Sequence, residues 1–133
     1  MVTLSPPAAI AALSPALSHY FQGFNSEDYE TVASLFAPEG VLRPPFEAGI
    51  LGPEAIQTYL VAEAGGMRAT PLEAKNTALG GGQRQVVVTG RVKALVFTVN
   101  VQWTFILDSD DAILEAQIKL LASLQDLMQF NAK

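Results

Sequence analysis

Cysteine is absent from the 133 residues, which removes disulfide scaffolds, thiolate metal sites and Cys nucleophiles together and leaves the redox compartment undecided. Basic residues are few. The eight Lys and Arg are scattered from Arg43 to Lys133 against thirteen Asp and Glu, for a formal charge of −5. With no basic cluster there is no electrostatic footprint for a phosphate backbone, and nucleic acid is not expected as a partner. The stretch before Arg43 holds no Lys or Arg, and its alanine-rich start is broken by Pro6, Pro7 and Pro15. It therefore lacks the basic and continuous apolar regions of a signal peptide. No apolar run approaches the length that spans a bilayer. A soluble cytoplasmic protein is the expectation. There is one histidine, His19, and one tryptophan, Trp103.

Half of the residues are hydrophobic, which suits one core. The division expected is an N-terminal arm, 1–13, with no trusted periodicity, and a single domain, 14–133. The chain is organised around Phe97 to Asp108. From Val99 the odd positions are Val99, Val101, Trp103, Phe105 and Leu107, and the even ones are polar except Ile106. This alternation reads as a β-strand with one apolar face. Trp103 stands mid-strand on that face, where its indole N–H must find an acceptor if water is excluded.

Ser14-Pro15 is a cap followed by proline at the first helical position. Leu17, Tyr20, Phe21 and Phe24 follow as one apolar stripe, which turns Tyr20 inward. Ser26 is read as the cap of a second helix, with Glu27, Asp28 and Glu30 in its first turn and Tyr29, Val32, Ala33 and Phe36 as its stripe. Pro38-Glu39-Gly40 should stop it. A short strand, Val41 to Arg43, meets Pro44-Pro45, and Ile50-Leu51 is its returning partner. Gly52-Pro53-Glu54 opens a third helix carrying Ile56, Tyr59, Leu60 and Glu63, which Gly65-Gly66 ends.

Further strands are expected over Leu72–Leu79, Gln85–Val96 with a bulge at Gly90, and Ile113–Leu121. In the last, Leu114, Ala116, Ile118 and Leu120 form the inward set. A hairpin must interrupt Gln85–Leu107, which is too long for one strand. Thr98-Val99-Asn100 is the first choice of turn and Lys93–Val96 the second. Ser123 and Asp126 resemble a capping box ahead of Leu124, Leu127, Met128 and Phe130, a short C-terminal helix that is a candidate flap. The fold class is α+β: a curved mixed or antiparallel sheet wrapped around N-terminal helices, enclosing a cone-shaped pocket.

Chemistry-bearing clusters are sparse. Glu27-Asp28 and Asp108-Asp110-Asp111 sit at a helix start and a turn and read as solvated, so no metal site is expected. Gly80-Gly81-Gly82 lacks the Lys-Ser/Thr of a phosphate loop and reads as a turn. His19 lies beside the apolar stripe, as a surface or partly buried side chain. An isomerase, cyclase or hydrolase would need a carboxylate or imidazole in the pocket, and Glu47 and Glu63 are the reserves for that role. A dimerisation module built on the Gln102 and Thr104 face is a third reading.

The segments Phe24-Asn25-Ser26-Glu27-Asp28-Tyr29, Leu35-Phe36-Ala37-Pro38-Glu39-Gly40-Val41 and Gly52-Pro53-Glu54-Ala55-Ile56 resemble the nuclear transport factor 2-like, or SnoaL-like, superfamily. That superfamily holds isomerases, cyclases, hydrolases and binding modules. Pro44-Pro45-Phe46, Glu63-Ala64-Gly65-Gly66-Met67, Val88-Thr89-Gly90-Arg91-Val92, Trp103-Thr104-Phe105 and Leu120-Leu121-Ala122-Ser123 are similar, in order, to the C-terminal domain of the cyanobacterial orange carotenoid protein family. With no N-terminal helical domain in the sequence, the chain resembles most its free-standing homologues.

The resemblance implies a non-catalytic carrier of a ketocarotenoid, canthaxanthin or echinenone. Tyr20 and Trp103 match the pair that donates to its carbonyl oxygen, and Phe24, Met67, Val101, Phe105 and Ile118 would form the apolar wall. It also implies carotenoid-accepting helical partners related to the orange carotenoid protein N-terminal domain, and transient membrane contact for pigment uptake. A C40 pigment nearly equals the roughly 35 Å diameter of such a domain, so a homodimer is expected when loaded. Ala94-Leu95-Val96-Phe97, Lys119 and Leu124 depart from the full-length pattern. They bear on photoswitching more than on binding, as does Glu63, which matches a residue that pairs with the absent domain.

Overall fold

The computed structural model describes residues 5–121. Four helices, α1 (Pro6–Leu13), α2 (Pro15–Asn25), α3 (Tyr29–Ser34) and α4 (Pro53–Glu63), accompany six strands, β1 (Phe36–Arg43), β2 (Ile50–Leu51), β3 (Arg68–Gly80), β4 (Gln83–Ala94), β5 (Phe97–Leu107) and β6 (Ile113–Leu121). They form one sheet in the order β2-β1-β6-β5-β4-β3. Every pairing is antiparallel except β1 with β6. The α+β class and the mixed sheet agree with the sequence reading. The expected C-terminal helix, with Ser123, Leu124 and the proposed flap, lies outside the described residues.

The core fills the space between the helices and the inner face of the sheet. Leu17, Tyr20 and Phe21 of α2, Val32 of α3 and Ile56 and Leu60 of α4 meet Val86, Val88, Val101, Trp103, Phe105 and Leu107. The Ser14-Pro15 start of α2 is as read: the Ser14 side chain accepts from the Leu17 N–H. The aperiodic lead is a helix, α1, opened by Ser5 and Pro6 and fastened by Ile10, which is buried in the same core.

The second helix begins later than expected. Ser26 closes α2, its hydroxyl donating to the Gln22 carbonyl, and Asp28 caps α3 by accepting from the Thr31 N–H. Phe36 belongs to β1, which continues through Pro38-Glu39-Gly40 instead of starting after them. A shift of register against β6 between Phe36 and Val41 absorbs the proline, so it takes no place in the regular ladder.

The hairpin lies at the second choice of turn. Ala94 pairs with Phe97, and Leu95-Val96 form a two-residue turn in which Leu95 adopts φ 56°. Leucine stands where glycine or asparagine is the usual occupant, so the expected punctuation is missing and the alternation of β5 runs unbroken through Val99. At Gly90 the irregularity is on the facing strand: Pro71 pairs with Gly90 and Glu73 with Thr89, leaving Leu72 as the extra residue. A Cβ on Gly90 would lie 2.2 Å from the Thr70 carbonyl oxygen. In β6 a further irregularity pairs Ile106 with Glu115 but Leu107 with Ile113, so Ile113 takes the core position assigned to Leu114.

Candidate functional site

α2 presents Tyr20 and Phe24 one turn apart, and β5 presents Val101 and Trp103 two residues apart. Both spacings aim at the same volume because the helix crosses the inner face of the sheet. Between them is a cavity of about 320 Å³, partly open to solvent. Tyr20, Phe24, Met67, Val101, Trp103 and Ile118 all line it, so the structure brings together six of the seven positions singled out. Phe105 is the exception. Its ring is fully buried edge-on against Tyr20, with centroids 5.1 Å apart, and supports the Tyr20 ring from outside the cavity.

The aromatic packing fixes both polar aromatics. Tyr20 stacks on Phe24 and meets Phe21 edge-on at 5.2 Å, and Phe21 in turn meets Trp103 edge-on at 4.9 Å. Such pairs add to area burial and restrict ring orientation. Tyr20 and Trp103 are 2% and 3% exposed, and neither the hydroxyl nor the indole N–H has a hydrogen-bond partner among the described residues. Burial pushes the Tyr20 phenol well above the ordinary tyrosine range, so it stays protonated and remains a donor. Two unpaired donors thus stand on a mostly apolar wall, whose other polar side chains are Tyr59, Glu47 and Glu63.

Sequence reasoning missed Leu42, Pro44, Leu60, Ala64 and Val92, which also line the cavity. Leu60 and Ala64 share a face with Ile56 at helical spacing, a signal that could have placed them; Leu42 lay in a strand too short to show alternation. Glu47 and Glu63 reach the cavity as well. Both are exposed, and Tyr59 donates to Glu47 over 2.7 Å. Burial first, then the Glu47 hydrogen bond and the charges of Glu47 and Glu63, push the Tyr59 phenol upward. His19 is exposed. Among the described residues no cluster of His, Asp and Glu could hold a metal ion, and no helix is long and apolar enough to cross a membrane.

The SnoaL-like domain family matches residues 17–113. Over 116 residues the chain is 30% identical to the orange carotenoid-binding protein of Synechocystis, covering 84% of this chain and 37% of that one. The Fremyella diplosiphon protein OCP1 superposes with a TM-score of 0.82 at 30% identity, covering 87% of this chain and 38% of that one. The Anabaena orange carotenoid protein binding canthaxanthin superposes with a TM-score of 0.81 at 28% identity, covering 87% and 39%. This chain thus spans little more than a third of the length of these relatives. It belongs to the SnoaL-like, nuclear transport factor 2-like family and is homologous to the C-terminal domain of orange carotenoid protein.

Proposed function

We propose that this chain is a non-catalytic carrier that holds the carbonyl-bearing ring of a ketocarotenoid, canthaxanthin or echinenone, between Tyr20 and Trp103. The observation that carries the reading is the pair of buried donors, both on the cavity wall and both without a partner among the described residues. Both side chains line the partly open cavity, so a carbonyl acceptor would take the place of water on the two donors as the ring closes the site. Uptake from a membrane, passage to helical acceptors related to the orange carotenoid protein N-terminal domain and work in the cytoplasm complete the role. The polyene would quench singlet oxygen wherever the protein carries it. The loaded form is a homodimer.

The test is colour. Protein purified from a host that makes canthaxanthin should show a red-shifted visible band, and Tyr20→Phe and Trp103→Phe should each weaken binding by roughly fivefold to thirtyfold, the equivalent of about 1–2 kcal/mol. A colourless wild type would sink the proposal. One observation favours a second reading, since the SnoaL-like family also holds enzymes: the Tyr59–Glu47 pair with Glu63 at the cavity edge is the place for proton transfer. Turnover of an apolar carbonyl compound that disappears in Glu47→Gln or Glu63→Gln would establish it.

A further inference from the structure

We propose that the hairpin side of the cavity rim docks on an anionic lipid bilayer; the inference rests on the carrier reading and adds where, and to what surface, the pigment-free protein binds. At the β4–β5 turn Leu95, Val96 and Phe97 are 86%, 85% and 71% exposed, and Phe46, in the loop after β1, is 93% exposed. Water is a poor solvent for four such side chains at one end of a molecule. Two of them carry a second penalty: Leu95 and Phe46 hold left-handed backbone, φ 56° and 64°, where a glycine or asparagine would be both unstrained and wettable. Folding alone rewards neither feature.

The exposed apolar surface is continuous with the cavity. Along the inner face of β5 exposure falls from Phe97 through Val99, at 37%, to Val101 and Trp103, at 1% and 3%. On β6 the partners of Val101 and Trp103 are Leu120, still 44% exposed, and Ile118. An apolar ramp therefore leads from the turn to the buried donors.

Charge selects the occupant. On the outer face behind the turn Lys93 pairs across the strands with Arg68, Arg91 stands two residues along from Lys93, and Lys119 lies opposite Gln102. All four are exposed, and none has an ion-pair partner among the described residues. The chain as a whole is acidic, so attraction to an anionic surface has to be local to this patch, within a Debye length of roughly 10 Å. A second pigment-free copy carries the same four cations and offers them no opposite charge on that face of the hairpin. Glu47 and Glu63, on the loop and on α4, are the acidic side chains that line the same cavity.

Flotation of pigment-free protein with vesicles tests this. Wild type is expected to float with equal parts phosphatidylcholine and phosphatidylglycerol, to stay behind with phosphatidylcholine alone, and to be released by salt. Leu95→Asn with Val96→Ser, at exposed positions outside the cavity wall, should lower binding by roughly tenfold, and Arg91→Gln with Lys93→Gln should do so by removing the preference for phosphatidylglycerol. Absence of flotation, equal binding to both vesicles, or a turn variant that binds as wild type does would overturn the proposal. So would a wild-type pigment-free dimer that the turn variant dissociates, since the rim would then be a face between copies. Pigment uptake from detergent micelles keeps the two readings apart: the turn variant should colour normally, and a wild type that floats but never colours defeats the carrier and not the docking surface.

Discussion

At the scale of single residues the site turns on two donors and on one of them staying neutral. Tyr20 is buried among Phe21, Phe24 and Phe105, and desolvation holds its phenol above the value near 10 that it has when unfolded. Tyr29 is raised also, by burial and then by the charge of Glu27, and its buried hydroxyl lacks a partner among the described residues. Because the folded chain keeps protons that the unfolded chain releases above a pH of about 10, this contribution is intact below that pH and is lost as the pH rises beyond it. The urea midpoint is therefore expected to stay level through neutral pH and to fall in alkali, and Tyr20→Phe should make the alkaline fall shallower. An unchanged slope in Tyr20→Phe would mean that the phenol is hydrated in the folded protein. Loaded with pigment, the same neutral phenol should keep the visible band constant past the ordinary tyrosine range.

Among elements, the junction that aims α2 at the sheet is a single carboxylate in the β5–β6 turn. Asp111 accepts from the Ser14 hydroxyl at 2.8 Å, the Ala16 N–H at 2.9 Å and Arg84 at 2.7 Å, while Arg84 also donates to the Leu13 carbonyl. Ser14 is fully buried, so Asp111→Ala strands a hydroxyl and a backbone N–H and should cost about 2–4 kcal/mol by urea denaturation. Asp108→Ala, which breaks only local bonds to the Asp110 and Ala112 N–H groups, should cost about 1 kcal/mol. Equal losses would show that the turn matters and the junction does not. None of this was legible in sequence, where Asp108 to Asp111 reads as a solvated turn, because its partners lie 27 to 97 residues away. What was legible is what repeats: the period of two in β5, the stripe of α2, and thus Tyr20 and Trp103. What was lost is what interrupts a period. The extra residue that puts Ile113 in place of Leu114 and the glycine-free turn at Leu95-Val96 are settled by pairing with neighbouring strands. Phe105 was misassigned for a related reason: alternation says which face a side chain takes, but not whether a cavity or a neighbouring ring meets it there.

Taken whole, the molecule is too small for its proposed cargo. A cavity of about 320 Å³ sits at the low end of ligand pockets, which run from roughly 300 to 1,000 Å³, and it accommodates a ring but not the polyene behind it. On the proposed reading the ring would enter by the ramp from Phe97 to Trp103, and the rest of the pigment would emerge at the rim, beside Leu95, Val96 and Phe46. Loaded, the protein would add an exposed polyene to the apolar surface it already exposes there. Two mouths set face to face on one symmetric pigment with a carbonyl at each end would remove both surfaces from water together and supply both pairs of donors. The basic residues lie on the outer face of the sheet, so the inner rims can meet once a polyene bridges them, which the pigment-free protein lacks. The expected outcome is one canthaxanthin per two chains, with the coloured species at twice the mass of the colourless one by light scattering after gel filtration. Echinenone, with a carbonyl at one end only, should dimerise more weakly, since one Tyr20–Trp103 pair stays unpaired. The same burial takes the rim away from lipid, so the coloured dimer should float with anionic vesicles less than the colourless protein does. A coloured monomer carrying one pigment per chain would refute the shared-pigment arrangement, and a coloured dimer that floats undiminished would show that its rim is still open.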